Sequence, residues 1–196
     1  VKAFYDLGYR YIHMPWDVGP RAELVELVES GRLEPCKAID LGSGTASNCV
    51  FLAQHGFTVT GVDYSHSAIE LGRSRAAEAG VSVEFIQDDL TDLRRVSGTF
   101  DLLVDYGVLD DLPPAHRDLY MQNIVPISHP GSRFLLYCFE WQPRWWERLY
   151  FYRMACDPGE IERRFGSHFE IERYAEGKFN SRFILGWTAY LMIRKG

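Results

Sequence analysis

No stretch of this chain approaches the roughly 18 consecutive apolar residues that a membrane-spanning helix needs. Its first residues, Val1 to Asp6, form no secretory hydrophobic region, so a cytoplasmic location is expected. Cysteine is scarce: the four residues Cys36, Cys49, Cys138 and Cys156 contain no Cys-x-x-Cys pair and no repeated spacing. That excludes a zinc ribbon or a disulfide framework, and neither a metal nor a disulfide is expected. Positive charge is also short, with 21 Lys and Arg against 27 Asp and Glu and a net charge of −6. Nucleic-acid backbones and anionic membrane surfaces reward basic faces, so neither is an expected partner. There is no repeat, low-complexity tract or linker. A length of 196 residues suits one domain, expected over 1–196, with an N-terminal cover over about 1–31 and an aromatic-rich insertion over about 140–156. What the chain has in excess is aromatic: 12 Phe, 11 Tyr and 5 Trp.

Strand and helix patterns alternate along the chain. Short apolar β-rich runs are expected at Ala38–Leu41, Phe57–Val62, Val81–Ile86, Phe100–Val104, Arg133–Phe139, Phe169–Tyr174 and Trp187–Ile193. Helical stripes occupy Pro20–Ser30, Thr45–His55, Ser65–Gly80, Pro114–Val125 and Gly159–Phe165. Strands alternating with helices predict an α/β fold, a Rossmann-like doubly wound seven-stranded sheet, mostly parallel with an antiparallel C-terminal strand. In such sheets ligands bind beyond the carboxyl ends of the strands at the topological switch point. Gly42-Ser43-Gly44, Asp63, Asp89 and Asp105 all fall at such strand ends.

Asp40-Leu41-Gly42-Ser43-Gly44-Thr45 joins the first strand to the next helix. Its glycines allow a tight turn and close approach of a ligand, and a helix N-terminus offers N–H groups to an anion. Asp63 follows Gly44 by 19 residues, close to the offset at which a carboxylate meets ribose hydroxyls. Ser47 stands where a dinucleotide fingerprint has its third glycine, and no Tyr-x-x-x-Lys element is recognisable.

Asp40, Gly42 and Gly44, then Asp63 in Val-Asp-Tyr-Ser, then Asp89-Leu90 after the third strand, resemble the successive motifs of the class I S-adenosylmethionine-dependent methyltransferases. The likeness extends over about residues 10–195. Met14-Pro15-Trp16-Asp17-Val18-Gly19 and Glu160–Gly166 resemble more narrowly the thiopurine, halide/thiol and tellurite-resistance methyltransferases. Thiopurine methyltransferase has Arg where this chain has Tyr106, which places the likeness nearer the halide/thiol branch.

The resemblance implies S-adenosylmethionine as cofactor and S-adenosylhomocysteine as product. The methionine carboxylate is then expected on the amides of Gly42, Ser43 and Gly44, the ribose on Asp63, and the adenine between Tyr64 and Leu90 with Asp89 near its amino group. Trp16 and Tyr11 would face the sulfonium, since an aromatic face attracts a cation. Asp105, Tyr106, Glu140 and His13 are the candidates to orient the acceptor or take its proton, and Asp105 also counts among the cofactor contacts. Asp105, Tyr106 and Glu140 read equally well as structural, and a lone His such as His13 is more often a satisfied surface or boundary residue. Asp110 and Asp111 precede Pro113-Pro114 and read as helix caps.

Tyr137, Phe139, Trp141, Trp145, Trp146, Tyr150, Phe151 and Tyr152 follow or end the fifth strand. They predict an apolar, aromatic-lined acceptor pocket, with Arg144 and Arg148 between them. The expected reaction is in-line methyl transfer to a small lipophilic or aromatic acceptor by a monomer or homodimer. A nicotinamide-dependent oxidoreductase and a catalytically silent nucleoside-binding domain remain the alternatives.

Overall fold

The central apolar runs of the sequence become strands buried on both faces, whereas the edge runs at Glu84–Gln87 and Phe169–Lys178 are more open. The computed structural model describes residues 19–140, 155–178 and 186–196. Tyr11, His13 and Trp16, and the run from Trp141 to Tyr152 with Arg144 and Arg148, lie outside the described residues. Seven strands, β1 (Lys37–Leu41), β2 (Thr58–Asp63), β3 (Glu84–Gln87), β4 (Phe100–Tyr106), β5 (Ser128–Phe139), β6 (Phe169–Lys178) and β7 (Gly186–Arg194), form one sheet in the order β3-β2-β1-β4-β5-β7-β6. The β1–β5 pairings are parallel, and β7 runs antiparallel to both of its neighbours. The expected doubly wound, mostly parallel sheet with an antiparallel C-terminal strand is what forms.

Helices α1 (Ala22–Glu29), α2 (Ser47–Gln54), α3 (His66–Glu78), α4 (Pro114–Ile124) and α5 (Glu160–Phe165) cover the sheet. Alternate strand residues sort into two cores. Ile39, Leu41, Leu103, Phe134, Leu136, Tyr190 and Met192 pack with Tyr120 and Ile124 of α4 and Ile161 and Phe165 of α5. Ala38, Leu102, Val104, Leu135 and Leu191 pack with Leu24 and Leu27 of α1 and Cys49 and Leu52 of α2. Sidedness follows from the period of two along each strand.

Local chemistry sets most element ends. Ser65 caps α3, its Oγ accepting from the Ala68 amide at 3.2 Å. The helix expected from Thr45 starts only at Ser47, because Ala46 adopts a left-handed φ of 67°. β5 begins earlier than expected: Phe100 pairs with Ser128 but Leu102 with Arg133, so the His-Pro-Gly-Ser stretch bulges out of the ladder. Asp110 does not cap α4. The residue preceding that helix, Pro113, has no side-chain cap, and Asp110 is buried elsewhere.

Candidate active site at the sheet switch point

The strand order reverses between β1 and β4, where Leu41 lies opposite Asp105 and Val62. The loop leaving β1 therefore emerges beside the ends of β2 and β4. Gly42 (φ 74°) and Gly44 (φ 50°) turn it sharply. A Cβ on Gly42 would overlap Val108 Cγ2, so the post-β4 loop rests directly on this glycine.

The loop's amides are committed within the protein. The Gly42 and Ser43 amides donate to the Val62 carbonyl at 2.8 and 2.9 Å. The Gly44 amide donates to Asp63 Oδ2 at 2.9 Å, and the other Asp63 oxygen accepts from the Ser65 amide at 2.8 Å. Asp63 thus ties the β1 loop to the β2 loop, a role its spacing alone does not disclose. The Gly42, Ser43 and Gly44 amides, expected to meet a ligand carboxylate, thus donate to protein acceptors in the ligand-free chain. Arg75 of α3 braces the same loop, donating to Thr45 Oγ1 at 2.8 Å and Ser47 Oγ at 3.2 Å. Ser43 Oγ is buried and has no hydrogen-bond partner among the described residues, an orphaned polar atom inside the loop.

Three carboxyls are buried here: Asp40, Asp63 and Asp105. Burial lifts Asp40 to about 6 against hydrogen bonds from Cys49 and Asn48, the Cys49 thiol lying 3.3 Å from Oδ2. Burial lifts Asp105 further, to about 7, against hydrogen bonds from Tyr120 and the Val108 amide. Its Oδ2 accepts from Tyr120 Oη at 2.5 Å and its Oδ1 from the Val108 amide at 2.8 Å. With no exposed surface and both oxygens engaged, Asp105 fixes the post-β4 loop. A positive charge placed beside these groups would favour their ionised forms.

Tyr64 and Asp89 stand half-buried at the ends of β2 and β3. The Tyr64 carbonyl accepts from Gln87 Nε2 at 3.0 Å, and Asp89 Oδ1 accepts from the Thr91 amide at 3.0 Å, forming a local turn. Leu90 is a member of the core packed beneath β1 and β4.

Tyr106 ends β4. Its hydroxyl donates to Glu23 Oε2 of α1 at 2.9 Å, and burial followed by that carboxylate pushes the phenol well above its ordinary range. Its ring stacks on Tyr137 at 5.1 Å, and Tyr137 stacks on Trp187 at 5.3 Å. The three half-buried rings form a ladder across the carboxyl ends of β4 and β5 and the amino end of β7, closed at the Tyr106 end by the Arg21 guanidinium 5.4 Å from its centroid. Composition pointed to aromatic excess, but only the strand register aligns these three.

Glu140, one residue past β5, is placed in a different environment from that of a general base. Its carboxylate accepts from Tyr190 Oη at 2.7 Å, Thr188 Oγ1 at 2.9 Å, Arg173 Nη2 at 3.0 Å and the Gly159 amide at 3.2 Å. Burial pushes the group up, and the hydrogen bonds from Tyr190, Thr188 and Arg173 outweigh it, leaving the carboxyl below its ordinary range. A carboxylate so satisfied is a weak base and a good clamp between β5, β6 and β7. Because its folded pKa is lowered, the stabilisation is present above about 4.5 and is lost as pH falls through the folded value. Glu140→Gln is expected to lower Tm by several degrees at neutral pH, with the gap closing in acid. Thermal melts between pH 3 and 8 measure this.

Sequence reasoning missed two residues. Arg117 is 2% exposed within α4 and joins four partners, the carbonyls of Asp110, Leu112 and Ala155 and the carboxylate of Glu160. Asp110, read as a cap, is a buried carboxyl whose Oδ2 accepts from the Phe139 amide at 3.0 Å. A buried guanidinium leaves no trace in a helical pattern, and the adjacent prolines made the cap reading of Asp110 the natural one.

Residues 38–131 match the family described as a methyltransferase domain. The chain is 31% identical over 128 residues to 2-heptyl-1-hydroxyquinolin-4(1H)-one methyltransferase of Mycobacteroides abscessus, over 64% of this chain and 56% of that protein. It thus spans little more than half the length of that relative. Among solved structures, one from work on conversion of a disulfide bond into a thioacetal group during echinomycin biosynthesis superposes with a TM-score of 0.80 at 21% identity, covering 99% of this chain and 92% of the other. Burkholderia thailandensis 1,6-didemethyltoxoflavin-N1-methyltransferase, solved with 1,6-didemethyltoxoflavin and S-adenosylhomocysteine, superposes at 0.77 with 17% identity, covering 100% of this chain and 87% of that one. At these identities the structures speak to the fold.

Proposed function

We propose that this chain is a class I S-adenosylmethionine-dependent methyltransferase and methylates a small lipophilic or aromatic acceptor. The observation that carries the reading is the meeting of the Gly42–Gly44 loop with Asp63 at the switch point, within the segment that matches the methyltransferase domain. When bound, S-adenosylmethionine supplies an electrophilic methyl group on a sulfonium. Ser43 Oγ offers an unsatisfied polar contact, and Asp63 the carboxylate for the ribose diol. Tyr64, Asp89 and Leu90 would border the adenine. Asp63, with Asp40 and Asp105, whose ionised forms a nearby cation favours, suits a ligand that carries positive charge near the sheet edge. The protein's task is alignment of donor and acceptor, which can lower a barrier by roughly 7–11 kcal/mol.

The ladder of Tyr106, Tyr137 and Trp187 supports an aromatic acceptor, offering stacked rings beside the cofactor loop. The name of the Mycobacteroides relative gives a hydroxylated quinolone as its acceptor, a molecule of this type. Nicotinamide chemistry is not favoured, because the third glycine of its fingerprint is Ser47.

Isothermal titration with S-adenosylmethionine and S-adenosylhomocysteine tests the reading, and absence of heat at tens of micromolar overturns it. Asp63→Ala is expected to weaken both ligands at least ~30-fold, equivalent to about 2 kcal/mol, since it removes the ribose acceptor and strands two buried amides. A radiolabelled-methyl screen across phenols, thiols, halides, amines and carboxylates then identifies the acceptor class.

A further inference from the structure

Asp40 and Asp105 stand on neighbouring strands at the switch point but project to opposite faces of the sheet. Residues paired across a parallel ladder share a face, and Asp40 is paired with Val104 while Leu41 is paired with Asp105. Asp40 accordingly meets Cys49 of α2 on one face, and Asp105 meets Tyr120 of α4 on the other. The loops that follow β1 and β4 begin just beyond these carboxyls and touch where Val108 rests on Gly42. A buried carboxyl therefore flanks the switch point on each face.

Their surroundings are short of positive charge. Every hydrogen bond to the pair among the described residues has a neutral donor: Cys49 and Asn48 for Asp40, and Tyr120 with the Val108 and Leu109 amides for Asp105. The charges that face them are mostly acidic. Asp63 of β2 faces Asp40, Asp40 faces Asp105, and Asp110 faces Asp105 from the post-β4 loop. Against these, the Arg21 guanidinium acts on Asp40 from ahead of α1. Burying a carboxylate without a close counter-charge is costly, and burial accordingly holds Asp40 at about 6 and Asp105 at about 7. A cation arriving at the switch point lowers both values and drives protons off.

On the methyltransferase reading above, on which this inference rests, the ribose meets Asp63 and the adenine lies toward β3. Sulfur joins the ribose at the end away from the adenine, so the methionine portion extends from β2 toward β1 and β4. Donor and product share the zwitterionic amino acid, and only the donor adds a sulfonium charge. We propose that Asp40 and Asp105 form a proton-linked counter-charge for that sulfonium, so that the site tells the methylated donor from its demethylated product by charge. The coupling acts through space and needs no ligand contact with either carboxyl. S-adenosylmethionine then binds with proton release, whereas S-adenosylhomocysteine binds with little. With the free pair titrating at about 6 and about 7 and the occupied pair lower, donor affinity climbs from pH 5 to pH 7 and levels above.

The test is calorimetric titration of the wild-type chain with both ligands at pH 5, 6 and 7, in two buffers of different ionisation enthalpy. Over this range the amine of each ligand is largely protonated, so it cancels from the comparison. S-adenosylmethionine affinity is expected to rise at least ~5-fold from pH 5 to pH 7, with about half a proton or more released at pH 6, while that of S-adenosylhomocysteine changes less than about twofold. Asp40→Asn and Asp105→Asn are each expected to reduce the donor's rise to roughly half or less, with a thermal melt confirming that each variant folds. Equal pH slopes for the two ligands overturn the proposal, as does a donor slope unchanged in both folded variants. Should a variant fail to fold, the contrast between ligands in the wild type decides. If neither ligand binds at any pH, the methyltransferase reading falls and this proposal with it, an outcome distinct from both ligands binding with one slope.

Discussion

Gly42→Ala is expected to reduce S-adenosylhomocysteine affinity by at least ~100-fold, about 2.7 kcal/mol. Two independent effects combine. The residue sits at φ 74°, where an L side chain costs roughly 1–2 kcal/mol. The new methyl also overlaps Val108 Cγ2, and Val108 cannot retreat freely because its amide is bonded to the buried Asp105. The clash must therefore turn Val108 out of its rotamer or move the cofactor loop or the post-β4 loop. Gly80→Ala provides the comparison: it has a φ of 68° at the end of α3, but its Cβ meets nothing within 4 Å. That variant should lose stability from backbone strain alone and keep its cofactor affinity. Calorimetric titration of both variants separates strain from collision, and equal affinities would refute the steric argument.

Arg117→Ala is expected to be the most destabilising single change, at roughly 3–5 kcal/mol, the cost of breaking a buried pair by removing one partner. Its loss strands three backbone carbonyls and takes one cation from Glu160, whose other oxygen is bonded by Arg164 at 2.7 Å. For a chain of this size the effect corresponds to a fall in Tm of roughly 10 °C. Arg117→Lys should recover little of it, because a single ammonium cannot reach partners arranged around a planar fork. Differential scanning calorimetry decides, and a shift of under about 2 °C would contradict the role given to this residue.

Much of the fold was legible because periodicity and punctuation agree. The near-continuous apolar run of Phe100 and Leu102–Val104 reads as buried, Ser65 signals a helix start, and the offset between Gly44 and Asp63 sets two strand ends side by side. Less legible were features that depend on register. Tyr106, Tyr137 and Trp187 lie far apart in sequence and become neighbours only when β4, β5 and β7 align. Polar side chains were hardest. Glu140 has the position expected of a base, yet Arg173 and Tyr190 reach it from β6 and β7. The Gly42–Gly44 sequence gives no sign that, without a ligand, the Val62 carbonyl and Asp63 accept from these amides. In each case a long-range hydrogen bond supplies what the local sequence does not show.

Because the amides of Gly42, Ser43 and Gly44 are satisfied by the protein itself, the loop acquires its shape when the chain folds and not when a nucleoside arrives. The conformational entropy of three residues, two of them glycines, is then spent before association. Binding to such a preorganised loop carries little ordering penalty, and its rate is governed by diffusion and entry more than by closure of this turn. On the proposed reading, in which Asp63 also meets the ribose, folding stability and cofactor affinity are coupled through this one carboxylate, which completes the loop in the ligand-free state.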